Sequence, residues 1–157
     1  MIRRAAILAG GNTHDVAERL DRAERLLAER VGRVVARSSV RESEAWGFCA
    51  ARFLNRAYIV ETELEAEPLL DELQAIEREL GRNREEELRE KCATGERYAS
   101  RPIDLDILLF GEQRIATERL TVPHALLLER DFALAPLGEA LGLSRVEIVE
   151  LVKDIER

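Results

Sequence analysis

The sequence predicts an α+β fold whose strands and helices follow the order β-α-β-β-α-β, on three observations. Two stretches repeat apolar residues at helical spacing, Val16-Leu20-Ala23-Leu27 and Leu69-Leu73-Ile76-Leu80. Four stretches rich in β-formers, starting near residues 3, 33, 53 and 102, lie before, between and after them. The last of these, "RPIDLDILLFG", is apolar along both faces beyond its first residues, as in a strand covered on both sides.

The elements follow in order. "RRAAILAGG" reads as a strand that ends at glycines, and the stretch from about 14 to 31 as an amphipathic helix. "RVVARSSV" (33–40) is a second strand and "FLNRAYIVETEL" (53–64) a third. Pro68 suits the first turn of a second helix, which Gly81 stops. The fourth strand covers 102–110, with Asp104 and Asp106 expected on one face and Ile103, Leu105, Ile107 and Leu109 on the other. Leu108 and Phe110 are assigned to the aspartates' face. Ser144 with Glu147 makes a capping box for a last helix carrying Ile148, Leu151, Val152 and Ile155. This order is the ferredoxin-like split pattern, an antiparallel-rich sheet with helices on one face. The segment 125–141 and the last helix are additional and would cover the other face, giving an α-β-α layering.

At 157 residues the chain is expected to be one domain, 1–157. A hydrophobic content of 46% beside 35% charged residues is ordinary for a globular protein. The net charge of −7 excludes a general nucleic-acid binder, because no basic excess exists to neutralise phosphates. No apolar run is long enough for a membrane span, and the run after Met1 breaks at Gly10-Gly11, too soon for a signal peptide. Cys49 and Cys92 match no metal or redox spacing and read as reduced thiols, which places the protein in the cytoplasm. A monomer is expected, with a dimer as the alternative.

Chemistry gathers around the aspartate strand. Carboxylates at i and i+2 stand about 7 Å apart on one face, and at an effective dielectric of ~20 they repel by roughly 2 kcal/mol. Two readings answer that repulsion: a solvated, salt-bridged strand end, or a site for Mg²⁺, which takes one or two carboxylates and completes its shell with water and phosphate. Arg82 and Arg84 follow the second helix, Arg97 and Arg101 precede the strand, and Arg119, His124 and Arg130 follow it. Singly each arginine suits a solvated surface; gathered round a polyphosphate they would present forks to its oxygens. The connections 41–52 and 82–102 are long for a compact domain and suit binding loops or a lid, with a short exposed helix at "REEELREK" as the plainer reading.

Taken together, "RPIDLDILLFG" and "RLTVPHALLLERDFALAPL" resemble the signature of the 6-hydroxymethyl-7,8-dihydropterin pyrophosphokinases. "LAGGN", "SSVRESEAWGF", "FLN" and "QAIERELGRNR" fall in register, so the resemblance runs from about residue 5 to about 140. It implies transfer of the terminal pyrophosphate of ATP to the pterin hydroxymethyl group, with release of AMP in folate biosynthesis. It implies two Mg²⁺ ions on Asp104 and Asp106, with Arg82 and Arg101 stabilising the transition state. Gln74, Glu77, Arg84, Ile107, Arg119, Leu120, Thr121, His124 and Arg130 would surround the nucleotide. For Glu77 an exposed helix carboxylate is the alternative, and for Ile107 and Leu120 simple core packing. Ser43, Glu44, Trp46, Phe53, Asn55, Tyr98 and Phe132 would hold the pterin, with core packing the alternative for Phe53 and Phe132. The sequence departs from the pattern at Gly11, Tyr98, Pro102 and Ala125. Competing functions are another Mg²⁺-dependent phosphoryl or nucleotidyl transferase and a non-catalytic ligand-binding domain.

Overall fold

The computed structural model describes residues 1–13, 15–43, 53–82, 89 and 103–157. Strand β1 (Arg3–Gly11) is buried along seven of its nine residues and lies at the centre of the sheet. It runs antiparallel to β4 (Phe53–Thr62) on one side and β5 (Asp104–Phe110) on the other. Along the outer edge of β4 lie β2 (Gly32–Arg37) and then β3 (Arg41–Ser43), giving the order β2-β4-β1-β5.

One face is covered by α1 (Val16–Arg30) and α2 (Ala66–Glu79), which bury the two apolar stripes read from the sequence. The other carries a second core built on α3 (Asp131–Leu141) and α4 (Arg145–Glu156), so helices lie on both faces of the sheet. Ser144 and Glu147 form the expected capping box, the hydroxyl accepting from the Glu147 amide at 3.2 Å and the carboxylate from the Ser144 amide at 3.0 Å. Among the described residues no helix is long and apolar enough to cross a membrane.

Three details differ from the sequence reading. The second strand stops at Arg37 instead of running to residue 40, and residues 41–43 are strand β3 rather than loop. Ser38 explains the break. Its amide donates to the Ala57 carbonyl at 2.9 Å, and its hydroxyl accepts from the Ala57 amide at 2.9 Å and donates to Ser39 O at 2.8 Å. A side chain thus takes the place of a ladder carbonyl, and the chain kinks before pairing resumes. Secondly, Leu109 joins the α3–α4 core with Leu108, whereas Phe110 joins the α1–α2 core with Leu105 and Ile107. The pairing steps from Ala6↔Leu109 to Ile7↔Ile107, so Leu108 is one residue extra, and such a bulge reverses strict alternation beyond it. Thirdly, a small hairpin of β6 (Ile115–Ala116) and β7 (Thr121–Val122) precedes the cis Val122–Pro123 bond.

Candidate active site

Strand pairing lines up the central residues of the site. Gly10 on β1 stands opposite Asn55 on β4 and opposite Asp104 on β5, so all three share the α3–α4 face. One row along, Leu8 pairs with Ala57 and with Asp106. Adjacent strands lie roughly 5 Å apart, which sets Asn55 and Asp104 about 10 Å from one another across a floor with no side chain. A Cβ at Gly10 would come 2.5 Å from Asn55 Oδ1 and 3.3 Å from the Leu54 carbonyl. Asn55 is 3% exposed, and its Nδ2 donates to Ser43 Oγ on β3 at 2.7 Å. A flat ligand can lie against this floor, with an amide turned toward its edge.

The acidic end is tied to α2 around the edge of the sheet. Arg82, directly after the Gly81 turn, donates Nη1 to Asp104 Oδ1 and to Glu77 Oε2, both at 2.8 Å. The same Glu77 oxygen accepts the Leu105 amide at 2.8 Å. The Glu77 and Arg82 side chains are 3% and 5% exposed. Glu77 is therefore neither an exposed helix carboxylate nor solvent-facing; it fastens the end of α2 to the edge of β5. Asp104 stays more open, at 22%. A carboxylate has about four lone-pair sites, and Arg82 engages one of the two oxygens. Asp104 and Asp106, oxygen donors on one face, fit a hard divalent cation. Among the described residues no group of three or more His, Cys, Asp or Glu is gathered to hold a metal, and Mg²⁺ requires only one or two carboxylates.

His124 closes the site from the bulge. Its amide donates to the carbonyl of the extra residue, Leu108, at 3.0 Å, and its Nδ1 accepts from the Leu126 amide at 3.2 Å. The neutral ring then carries its proton on Nε2, free to donate. Burial, helped by the charge of Arg130, holds the imidazole below its ordinary pKa of 6.5, with Asp104 opposing. Arg130 itself stacks over the Phe132 ring, its guanidinium carbon 5.4 Å from the centroid.

Other expected site residues fall elsewhere. Arg119 is turned toward α2, 2.5 Å from Asp71 and 3.8 Å from Glu67. Ile107 and Leu120 are buried in the α1–α2 core, while Thr121 is exposed and Gln74 half-buried. Phe53 opposes Ser43 at the start of β4, half-buried. Glu44, Trp46, Arg84, Arg97, Tyr98, Arg101 and Pro102, with most of both long connections, lie outside the described residues. Sequence reasoning passed over Gly10, whose signal is a glycine inside a strand. It also passed over the Thr13–Asp15–Arg19 group, signalled by an acidic and a basic residue four apart.

With that geometry in place, the comparisons are specific. A family model described as 7,8-dihydro-6-hydroxymethylpterin-pyrophosphokinase matches residues 6–141. The chain is 41% identical over 137 residues to the 2-amino-4-hydroxy-6-hydroxymethyldihydropteridine pyrophosphokinase of Bacillus subtilis, covering 86% of this chain and 76% of that one. It is 37% identical over 132 residues to the Porphyromonas gingivalis protein of the same name, covering 83% and 85%. It also matches the mitochondrial folate synthesis bifunctional protein of Arabidopsis thaliana, 45% identical over 91 residues, of which it spans only 15%. Among solved structures, wild-type Plasmodium falciparum HPPK-DHPS with pteroate superposes with a TM-score of 0.68 over 98% of this chain and 44% of that one. At 13% identity that likeness shows the fold alone.

Proposed function

The chain belongs to the 7,8-dihydro-6-hydroxymethylpterin-pyrophosphokinase family, and on that premise we propose how its residues divide the work. The reaction is transfer of pyrophosphate from ATP to the hydroxymethyl group of 6-hydroxymethyl-7,8-dihydropterin, releasing AMP, in folate synthesis. Attack at the β-phosphorus asks a protein for alignment and charge neutralisation more than for covalent chemistry.

The observation that carries the assignment is the Arg82–Asp104 ion pair, one strand across Gly10 from Asn55. It puts a cation and a carboxylate at one end of a flat floor and an amide at the other. On this reading the pterin lies over Gly10, with Asn55, itself oriented by Ser43, reading its polar edge. Phe53 and Phe132 flank the ring, and Tyr98, Glu44 and Trp46, which lie outside the described residues, are assigned to the pterin on the family resemblance. Asp104 and Asp106 would hold Mg²⁺, two ions in all, which when bound supplies charge neutralisation for the phosphates and lowers the pKa of a coordinated hydroxyl. Arg82 turns from Asp104 toward the polyphosphate as charge develops there, and Arg101 is assigned the same task on the family resemblance. The Nε2 proton of His124 bonds a phosphate oxygen. Arg84, Arg130 and Arg119 add cations along the nucleotide, Arg119 after leaving Asp71. Gln74, Ile107, Leu120 and Thr121 border the base and ribose, and Glu77 serves the nucleotide through Arg82.

We read the order β2-β4-β1-β5 with its β-α-β-β-α-β succession as ferredoxin-like. The same reading makes residues 1–157 one domain, active as a monomer in the cytoplasm. The test resolves AMP from ADP in an assay with ATP, Mg²⁺ and the pterin. Pterin-dependent AMP is expected, and Asp106→Ala is expected to abolish it while melting with the parent. ADP in place of AMP, or full activity in that variant, would overturn the assignment.

A further inference from the structure

The corner where β1 turns into α1 is remote in sequence from the Gly81 turn, yet one side chain joins them. Arg19, in the first turns of α1, donates Nη1 to the carbonyl of Leu80, the C-cap of α2. Its other side is held by Asp15: Nε donates to Asp15 Oδ2 at 3.1 Å, and Nη2 lies 2.8 Å from the same oxygen. Thr13 Oγ1 in turn donates to Asp15 Oδ1 at 2.8 Å. Both carboxylate oxygens are thus engaged, and these bonds hold the Asp15 carboxyl below its ordinary range. Thr13 follows Gly10, Gly11 and Asn12, so the anchor of this chain sits at the end of the floor strand.

Gly81 has φ +103°, and a Cβ there would come 2.8 Å from Arg19 Nη1. The guanidinium occupies room that glycine alone leaves, beside a backbone conformation that glycine alone favours. A cation on the last carbonyls of a helix is also favoured by the helix dipole. The residue after this turn is Arg82, whose amide donates to the Glu77 carbonyl at 2.9 Å and whose side chain reaches Asp104.

We propose that Arg19 is a positioning residue: the Thr13–Asp15–Arg19–Leu80 chain fixes the Gly81 turn and so aims Arg82 at the acidic end of the site. This rests on the reading of Arg82 as a transition-state cation. Arg19 acts only through the turn, because its bonds go to Asp15 and Leu80. A displacement of about 1 Å in a catalytic group costs on the order of 100-fold in rate, and loss of the Leu80 bond releases the backbone that carries Arg82.

The test is a double-mutant cycle in steady-state kinetics with MgATP and the pterin, comparing the parent, Arg19→Ala, Arg82→Ala and the pair. Arg19→Ala is expected to lower kcat roughly 10- to 100-fold with the pterin KM unchanged. Added to Arg82→Ala, it is expected to cost nothing further, since two groups acting in series do not add. A parent kcat in Arg19→Ala, or full additivity in the pair, overturns the proposal. If Arg82→Ala alone turns over at the parent rate, the reading of Arg82 fails first, and that result is distinct. Should Arg19→Ala not fold, Asp15→Asn, which keeps the arginine and weakens its anchor, carries the test: lower kcat at constant pterin KM supports the relay, and a parent kcat overturns it.

Discussion

Glu77→Gln is the most informative single substitution for the tie between α2 and β5. In the parent, Glu77 Oε2 accepts from both Arg82 Nη1 and the Leu105 amide at 2.8 Å, with the Glu77 and Arg82 side chains 3% and 5% exposed. The amide keeps the volume and one acceptor, but removes the charge that faces a buried guanidinium. A hydrogen bond to a charged group is worth about 1.5–3 kcal/mol, and removing one partner of a buried pair outright costs about 3–5 kcal/mol. Both donors meet one oxygen, so the Gln carbonyl can still accept them and only the charge is lost; a loss of about 2–3 kcal/mol is expected. For a chain of this size each kcal/mol lowers Tm by roughly 2–4 °C, so the melt should fall by about 5–10 °C. Circular dichroism at pH 7 measures it, and Glu77→Ala should fall further. A Gln variant whose Tm lies within about 2 °C of the parent, a change of roughly 1 kcal/mol or less, would refute the structural tie. If ATP affinity alone then dropped, Glu77 would be a nucleotide contact instead.

Three further outcomes follow from the same geometry. Gly10→Ala puts a Cβ 2.5 Å from Asn55 Oδ1 and turns the amide off Ser43; pterin affinity by titration calorimetry should fall roughly ten-fold, the equivalent of about 1.4 kcal/mol, and parent affinity would deny Asn55 its role. Ser144→Ala removes the hydroxyl of the α4 capping box and should cost about 1 kcal/mol, seen as a slightly lower Tm with turnover unchanged. Glu139 accepts from the Ser39 amide and hydroxyl and from Arg41, which holds its carboxyl below the ordinary 4.5. A depressed carboxylate contributes stability above its unfolded pKa and loses it as pH falls through the folded value. The Tm gap between the parent and Glu139→Gln should therefore narrow below about pH 4.5; a gap independent of pH would mean the bonds do not depend on the charge.

Local chemistry was enough to read much of this protein from its sequence. The apolar stripes of α1 and α2 follow from helical spacing, because a helix buries whatever recurs on one side of it. The capping box at Ser144 and the stop at Gly81 are likewise short-range matters of hydrogen bonding and backbone sterics. The spacing of Asp104 and Asp106, with the basic residues flanking them, raised two readings before any fold was in view, a phosphate site or a solvated, salt-bridged strand end. What remained hidden depends on partners far along the chain. Period-two reasoning put Leu109 with Ile107, and only the mismatch between β1 and β5 decided that Leu108 would bulge and exchange the faces of Leu109 and Phe110. The break after Arg37 depends on Ala57, 19 residues beyond Ser38. Glu77 was equally suited to water or to a nucleotide until α2 docked and brought the Leu105 amide and Arg82 to the same oxygen. Spacing along a strand or helix fixes which side chains share a face, but which groups meet across an edge is set by register and docking, and those exist only in the assembled sheet.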